Sequence, residues 1–147
     1  MKYELLQKKI NADDTKNINK LLRQLSSMPK NITEDELRHI CGQECMNLMV
    51  ARDESRSSEP IIGMASVIFY NITTGSKAII EDVVVDASYR NRGIGKTLVK
   101  KLIEIAKNKN IAYIDLTSNP TRIAANNLYR RLGFIQRTTN VYRLELQ

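Results

Sequence analysis

The fold is decided by residues 79–97, which read IIEDVVVDASYRNRGIGKT. An apolar run predicts a buried strand over 78–85, and the short loop after it carries Gly93 and Gly95 and opens into a helical pattern. The first amides of a helix have no intrahelical acceptor, and they lie at the positive end of the helix dipole. The loop therefore predicts a site where main-chain amides bind an anion such as a phosphate group.

The helix that follows the loop has one apolar face. Its pattern covers 93–108 and places Ile94, Leu98 and Leu102 on the same side, with lysines largely opposite. A further strand is expected over 111–117. Because a helix joins these two strands, we expect them to pair in parallel through a right-handed crossover.

The other elements are predicted from caps, turns and periodicity. Before the deciding stretch we expect a strand over 3–9, a helix capped by residues 11–14, a short helix that begins with a Thr33/Glu36 capping box and stops at Gly42, and strands over 46–52 and 61–70. After the crossover we expect a helix over 121–132 and two final strands over 134–137 and 141–146.

Length and composition predict one domain covering residues 1–147. No stretch approaches the roughly 20 apolar residues of a membrane span, and the first residues have no signal-peptide core. Cys41 and Cys45 are the only thiols and have no histidine set beside them, so they predict neither a zinc site nor a disulfide framework. We therefore expect a cytoplasmic protein with no metal and no membrane partner.

The charge of the chain is concentrated in its second half. The net charge is +7, and residues 90–109 contain seven basic side chains against one acid, Glu104. A positive surface of this kind attracts a phosphorylated small molecule or a nucleic acid. The sequence has two Phe, no Trp and no docking motif for nucleic acid, so we expect no nucleic-acid partner.

Two familiar nucleotide loops do not fit these residues. A P-loop requires glycine at the position of Arg90, and the dinucleotide fingerprint requires a small residue at the position of Leu98. The pattern that remains is Arg/Gln-x-x-Gly-x-Gly after a strand, which resembles the coenzyme A loop of the GNAT N-acetyltransferase superfamily. A second segment, AANNLYRRLGF over 124–134, resembles that family's Ala-x-x-Leu-Tyr-x-x-x-Gly-Phe helix.

The resemblance implies an α+β fold of the GNAT type. The expected architecture is a mixed, mostly antiparallel central sheet of six to seven strands, flanked by about four helices. It also implies an acetyl-CoA-dependent N-acetyltransferase that moves the acetyl group to a primary amine by direct attack in a ternary complex. No activated nucleophile in the sequence supports a covalent enzyme intermediate.

Acetyl transfer to an amine requires a proton for the departing thiolate, and a phenol with an ordinary pKa of about 10 can supply it. The resemblance assigns this role of general acid to Tyr129. The alternative is that Tyr129 only packs between helix and sheet, as amphipathic tyrosines commonly do.

Glu81 and Asp82 are the candidate general bases, because the resemblance places acids here near the acceptor. Strand alternation sends adjacent side chains to opposite faces, so only one of them faces the amine. On that pattern Glu81 shares a face with Val83 and Val85, while Asp82 shares a face with Val84. We favour Glu81, and the alternative is that both acids bond to loop amides at the strand end.

The resemblance also implies the residues that bind the coenzyme. The main chain of Val83, Val84 and Val85 lies along the pantetheine, and the main chain of the loop binds the diphosphate. The loop residues are Arg90, Asn91, Arg92, Gly93, Ile94, Gly95, Lys96 and Thr97. Seven residues before the helix tyrosine, family members often carry Asn, but here the residue is Arg122. Asn119, Asn126 or Arg122 takes its place, and we name Asn126 among the coenzyme-binding residues.

Two further functions remain open at the level of sequence: a non-catalytic acyl-CoA-binding regulator and, ranked lower, a basic nucleic-acid-binding module. The acceptor is a small-molecule or peptide amine whose identity no motif reveals. Dimerisation through the last strands is a further expectation, because edge strands invite pairing.

Overall fold

A computed structural model describes residues 1–7 and 9–146 and divides the chain into two compact units, residues 1–117 and residues 118–147. The single domain expected from length stays a prediction. The first unit contains β1 (Lys2–Leu5), α1 (Ala12–Leu25), α2 (Glu34–Cys41), β2 (Met46–Arg52), β3 (Ile61–Ile72), β4 (Gly75–Val85), α3 (Ile94–Asn108) and β5 (Ile114–Leu116). The second contains α4 (Ile123–Arg131).

The strands form one sheet in the order β1-β2-β3-β4-β5. The first three pairings are antiparallel, and β4 pairs with β5 in parallel. Helix α3 connects β4 to β5, so the predicted parallel crossover is confirmed. The mixed, mostly antiparallel α+β fold is likewise confirmed, with four α-helices among the described residues.

The core of the first unit lies on both faces of the sheet. On one face, Leu21 of α1 and Leu37 of α2 belong to the same buried cluster as Val50, Met64 and Val84 of the sheet. On the other face, α3 buries Leu98, Val99 and Leu102. Burial of this apolar surface stabilises the fold at roughly 25 cal/mol per Å² removed from water.

Helix α3 approaches β3 closely at Gly63. A Cβ atom added there would lie 3.3 Å from Ile94 Cγ2, 3.3 Å from Leu98 Cδ1 and 3.3 Å from the main-chain oxygen of Val84. These distances are shorter than ordinary van der Waals contact, so a side chain at this position would press on α3 and β4. Gly63 therefore lets the start of α3 lie tightly on the sheet.

The caps of α1 and α2 follow the sequence prediction. The Asn11 side chain accepts the amide of Asp14 at 2.8 Å, and the Asp14 carboxylate accepts the amide of Asn11 at 3.3 Å. Thr33 and Glu36 form the predicted capping box at α2, and Gly42 is its C-cap. Each reciprocal pair satisfies amides at the start of a helix that would otherwise lack an acceptor.

Two strand predictions are longer than the strands observed. The first was expected over 3–9 and ends at Leu5, and Lys8 lies outside the described residues. The fifth was expected over 111–117 and covers only Ile114–Leu116. The regular pairing of β1 with β2 ends at Leu5, followed by one hydrogen bond from the amide of Leu6 to the oxygen of Leu48 at 2.8 Å, and β5 pairs with only three residues of β4.

The prediction of six to seven strands is wrong: the described residues contain five. The final strands expected over 134–137 and 141–146 do not form, and Ile135, Val141, Tyr142, Leu144 and Leu146 are exposed. Alternating apolar residues indicate which side chains could share a face, but a strand exists only where a neighbour supplies hydrogen bonds. Within residues 134–146 the structure has no such ladder.

None of the helices in residues 1–7 and 9–146 is both long enough and apolar enough to cross a membrane.

Candidate active site

Strand β4 contains a β-bulge at the two candidate bases. Glu81 lies opposite Ser66 and Val84 lies opposite Met64, so the pairing register shifts between Met64 and Ser66. Two residues of β4, Asp82 and Val83, therefore face a single residue of β3. Asp82 has a φ of +53°, a left-handed backbone that is uncommon for residues other than glycine.

The bulge changes which side chains share a face of the sheet. Residues opposite each other in an antiparallel pair lie on the same face, as do residues two apart in one strand. Glu81 therefore shares its face with Ser66, Met64 and Val84. The expectations that Glu81 shares a face with Val83 and Val85, and that Asp82 shares one with Val84, are wrong, because alternation was applied across an inserted residue.

This assignment places Glu81 on the face covered by α1 and α2, since Met64 and Val84 belong to the cluster with those helices. Ser66, which is 2 % exposed, donates its hydroxyl hydrogen to the main-chain oxygen of Glu81 at 3.1 Å. The buried hydroxyl thus bonds the bulged strand at the candidate base itself.

The pKa values of both carboxyl groups are raised. Loss of water contact is the main cause for Glu81, and the nearby Asp82 carboxylate raises its pKa further. Partial desolvation also raises the pKa of Asp82, although that residue remains exposed. Basic side chains outnumber acidic ones in this chain, yet within the described residues neither carboxylate forms a salt bridge. A raised pKa brings a carboxyl group closer to the range in which general bases operate.

The regular pairing of β4 with β5 ends before the bulge. Within the described residues β5 pairs with Ala78, Ile79 and Ile80, and the pairing does not extend to Glu81–Val85. The main-chain amide of Asp86 donates to Ile62 of β3 at 2.8 Å. Because main-chain groups alternate in direction along a strand, those of Val84 also face β3, and those of Val83 and Val85 face the β5 side of β4. On that side the oxygen of Val85 accepts Arg90 Nε at 3.2 Å.

The end of β4 leads to the glycine loop. A 3₁₀ turn at Ala87–Tyr89 follows β4, and Asn91 and Gly93 then adopt left-handed backbone with φ of +62° and +77°. Gly93 is the N-cap of α3 and has no side chain to cap the helix. Its carbonyl oxygen accepts the amide of Thr97 at 3.0 Å.

The structure therefore brings the predicted loop residues together at the start of α3. The first amides of the helix are those of Ile94, Gly95 and Lys96, and they have no intrahelical acceptor. A Cβ atom added at Gly93 would meet nothing within 4 Å, so this part of the loop has open space beside it. The helix dipole and these amides favour an anion here.

Residues 86–88, where the loop begins, are held by α1. Lys20 Nζ lies 2.6 Å from Asp86 Oδ2, and Gln24 Oε1 accepts the amide of Ala87 at 2.8 Å. Asp86 also accepts the amide and the hydroxyl of Ser88 at 3.0 and 2.7 Å. These bonds, which outweigh the effect of burial, hold the pKa of Asp86 well below its usual range.

The sequence did not predict the contacts by which α1 holds residues 86–88. The contact between α1 and residues 86–88 spans more than 60 positions, and no local pattern announces it. The one local signal was the spacing Asp86-x-Ser88 directly after a strand, which favours a turn closed by the Asp side chain.

In the second unit Tyr129 lies on α4 and is buried. Its ring meets the ring of Phe134 edge to face, with centroids 6.0 Å apart, and the amide of Phe134 donates to the main-chain oxygen of Tyr129 at 3.0 Å. Gly133, with a φ of +91°, makes the turn that returns Phe134 to the helix. The second sequence signature is therefore a local unit in which the phenol ring is held in place.

Asn119 and Asn126 organise the segment before α4. Asn126 Nδ2 donates to the main-chain oxygen of Asn119 at 2.9 Å, and Asn119 Oδ1 accepts the amide and hydroxyl of Thr121 at 2.9 and 2.8 Å. Both amide side chains thus take part in local structure. Arg122 is the N-cap residue of α4.

A model of the acetyltransferase (GNAT) family matches residues 16–134. The chain therefore belongs to the GNAT acetyltransferase family, and the class of enzyme is an acetyl-CoA-dependent N-acetyltransferase. This finding favours the enzyme over the regulator and the nucleic-acid module that the sequence left open.

Relatives of known class include two kinds of N-acetyltransferase. A thialysine N-epsilon-acetyltransferase from Bos taurus is 30% identical over 132 residues, which are 82% of this chain and 78% of that protein. A glucosamine 6-phosphate N-acetyltransferase from Trypanosoma brucei brucei is 40% identical over 77 residues, which are 50% of each chain. The matched region thus spans only half of the second relative.

Solved structures share the fold over nearly the whole chain. An acetyltransferase from Trypanosoma brucei superposes with a TM-score of 0.79 at 28% identity and covers 99% of both chains. A putative acetyltransferase from Agrobacterium tumefaciens has a TM-score of 0.83, with coverage of 99% of this chain and 100% of that one. At 20% identity the second likeness concerns the fold alone.

Proposed function

We propose that the enzyme transfers the acetyl group of acetyl-CoA directly to a primary amine of a small molecule in a ternary complex. One observation carries the proposal: the stretch of β4 beyond its pairing with β5 begins at the bulged pair Glu81–Asp82 and leads to the start of α3, which has no side-chain cap. A single stretch of β4 thus connects the candidate bases to the candidate anion-binding loop.

The coenzyme would lie along this stretch of β4. The amides at the start of α3 suit the diphosphate, and the basic side chains of residues 90–109 raise its local concentration. The main chain of Val83 and Val85 would lie along the pantetheine, on the side of β4 that faces β5. The oxygen of Val85 accepts Arg90 Nε at 3.2 Å, so the proposed contact of Val85 is through its amide. Val84 belongs to the core cluster, so its contribution would be to hold the strand in place.

Glu81 is the proposed general base, acting on the amine directly or through a water molecule. Its carboxylate lies on the α1 and α2 face, it carries a raised pKa, and it forms no salt bridge among the described residues. Tyr129 is the proposed general acid for the thiolate, a role carried over from the family resemblance and compatible with a ring held by Phe134. Asp82 would raise the pKa of Glu81 and attract a cationic acceptor.

The acceptor class follows from this charge. Two adjacent carboxylates attract an ammonium group and repel a phosphate. We therefore rank aliphatic amines of the thialysine kind above amino-sugar phosphates, the two classes that the names of the relatives suggest.

A thiol-release assay tests the proposal. Purified protein with acetyl-CoA is offered thialysine, other aliphatic diamines, glucosamine 6-phosphate and a lysine-containing peptide, and free coenzyme A is measured. Release that depends on one of these amines supports the proposal. Tight acetyl-CoA binding without release for any amine would instead point to the regulator.

The cytoplasm is the proposed compartment, because Cys41 and Cys45 are both free thiols. Dimerisation through the last strands stays a prediction. Its original basis is weaker, since residues 134–146 form no strand.

A further inference from the structure

A second link, distinct from the α1 contacts, joins the coenzyme loop to the β2–β3 hairpin. Tyr89 donates its hydroxyl hydrogen to Asp53 Oδ2 at 2.7 Å, across 36 positions of sequence. Asp53 is only 6 % exposed, and its other oxygen accepts the amide and the hydroxyl of Ser55 at 3.1 and 2.7 Å. These bonds lower the pKa of Asp53, so its carboxyl group is an anion at neutral pH.

The hairpin is a firm support for that carboxylate. The amide of Asp53 donates to Pro60 at 3.1 Å, which closes the loop between β2 and β3. The preceding residue, Arg52, forms ion pairs with Asp14 of α1 at 2.9 Å and with Glu4 of β1 at 2.7 Å. Asp14 is buried and Arg52 mostly so, which makes these pairs less screened than surface pairs. Asp53 is therefore held by elements that lie outside the coenzyme loop.

The ring of Tyr89 supports a loop cation in turn. The guanidinium carbon of Arg92 lies 5.1 Å from the ring centroid of Tyr89, within the range of a cation–π interaction. Arg92 Nη2 also donates to the main-chain oxygen of Ser88 at 3.3 Å. A guanidinium has five N–H donors, and that of Arg92 uses one of them on the Ser88 oxygen. While it lies over the Tyr89 ring, its other donors remain for phosphate oxygens.

We propose that Tyr89 is a positioning residue for coenzyme binding. Asp53 fixes the ring of Tyr89, and the ring in turn holds the guanidinium of Arg92. The inference rests on the proposed function, because Arg92 belongs to the same anion-binding loop. The chain Asp53–Tyr89–Arg92 alternates anion, aromatic ring and cation. A carboxylate that accepts the hydroxyl makes the ring more electron-rich, which strengthens its attraction for the cation.

Titration calorimetry with coenzyme A tests the inference. Tyr89→Phe keeps the ring but removes the bond to Asp53, and we expect the Kd of coenzyme A to rise about 5- to 10-fold. The matched control is Tyr113→Phe, because Lys77 Nζ lies over the ring of Tyr113 at 5.1 Å but Tyr113 is next to Ala78, at the other end of β4. The control should bind as the wild type does.

A double-mutant cycle separates positioning from general stability. In an Arg92→Leu background, Tyr89→Phe should change the Kd by less than 2-fold, because Tyr89 acts through Arg92. In steady state, Tyr89→Phe should raise the KM for acetyl-CoA by the same factor as the Kd and leave kcat within 2-fold. Arg92→Lys keeps the charge but loses the planar group, so it should also weaken binding and serves if Tyr89→Phe does not fold.

Equal Kd values for the wild type and Tyr89→Phe, or fully additive effects of Tyr89→Phe and Arg92→Leu, would overturn the inference and leave the proposed function standing. In the absence of Tyr89→Phe protein, an Arg92→Lys protein with wild-type affinity would do the same. A wild-type protein that does not bind coenzyme A at all would overturn both.

Discussion

Glu81 illustrates how one inserted residue decides the chemistry of a strand. Without the bulge at Asp82, the register would place Glu81 and Val84 on opposite faces, and the carboxylate could not share the α1 and α2 face with Val84. The Ser66 hydroxyl bonds the strand at this place. The two acids could be predicted from the sequence, but the bulge could not. Glycine is the usual sequence signal for left-handed backbone, and position 82 is Asp.

At the residue scale we expect Glu81→Gln to lower kcat by about 10²- to 10³-fold, because Gln is similar in shape but cannot accept a proton. The KM for acetyl-CoA should change less than 3-fold. Asp82→Asn is the matched variant and should cost much less. The opposite order of the two variants in a thiol-release assay would transfer the role of base to Asp82.

The same residue predicts a pH dependence. The raised pKa of Glu81 means that activity requiring the carboxylate is lost as pH falls through a value above the ordinary Glu pKa of about 4.3. A raised folded-state pKa also means that the ionised group opposes folding above that pKa, and this effect vanishes below the unfolded pKa. Glu81→Gln should therefore have a higher Tm than wild type at pH 7 and an equal one near pH 3.5. A lower Tm at pH 7 would contradict the sign.

Tyr129 gives the third prediction at this scale. Tyr129→Phe keeps the ring that meets Phe134, so a purely packing role predicts nearly full activity. We expect instead a fall in kcat of about 10²-fold with coenzyme binding retained. Tyr142, which is 87% exposed in the same unit, supplies the control, since Tyr142→Phe should leave kcat unchanged. Single-turnover thiol release distinguishes the two outcomes.

At the scale of elements, the predictions that succeeded depend on local signals. The capping boxes at Asn11 and Thr33 and the apolar periodicity of α3 are contained within a few turns of chain, and the structure reproduces them. Strand ends and the supports of the site depend on distant partners. The final strands were wrong for this reason, and the bond between Asp53 and Tyr89 could not be predicted because nothing local links those residues.

Gly63 offers a test of how closely α3 must lie on the sheet. Gly63→Ala would place a methyl group 3.3 Å from Ile94, Leu98 and the Val84 oxygen, so we expect a loss of about 1–2 kcal/mol in the free energy of unfolding. Displacing the start of α3 should also weaken coenzyme A binding a few-fold. Urea denaturation measures the first effect. In combination with Leu98→Ala, which removes one contact atom, the cost of Gly63→Ala should be smaller, and strictly additive costs would argue against the close approach.

At the scale of the whole molecule, charge and fold act on the same ligand. Residues 81–147 carry twelve basic and six acidic side chains, and the start of α3 adds amides that favour an anion. A ligand that binds only the folded state stabilises it by about 2.7 kcal/mol at 100 times its Kd. For a chain of 147 residues this corresponds to a rise in Tm of roughly 5–10 °C with saturating coenzyme A.

The binding energy should reside largely in the phosphates, so S-acetylpantetheine, which lacks them, should give a much smaller rise at equal concentration. Raising the salt from 50 mM to 500 mM should reduce the rise caused by coenzyme A, because exposed charges are screened within a shorter distance. Equal shifts for the two compounds, measured by differential scanning calorimetry, would place the binding energy in the pantetheine arm and contradict a phosphate site at α3.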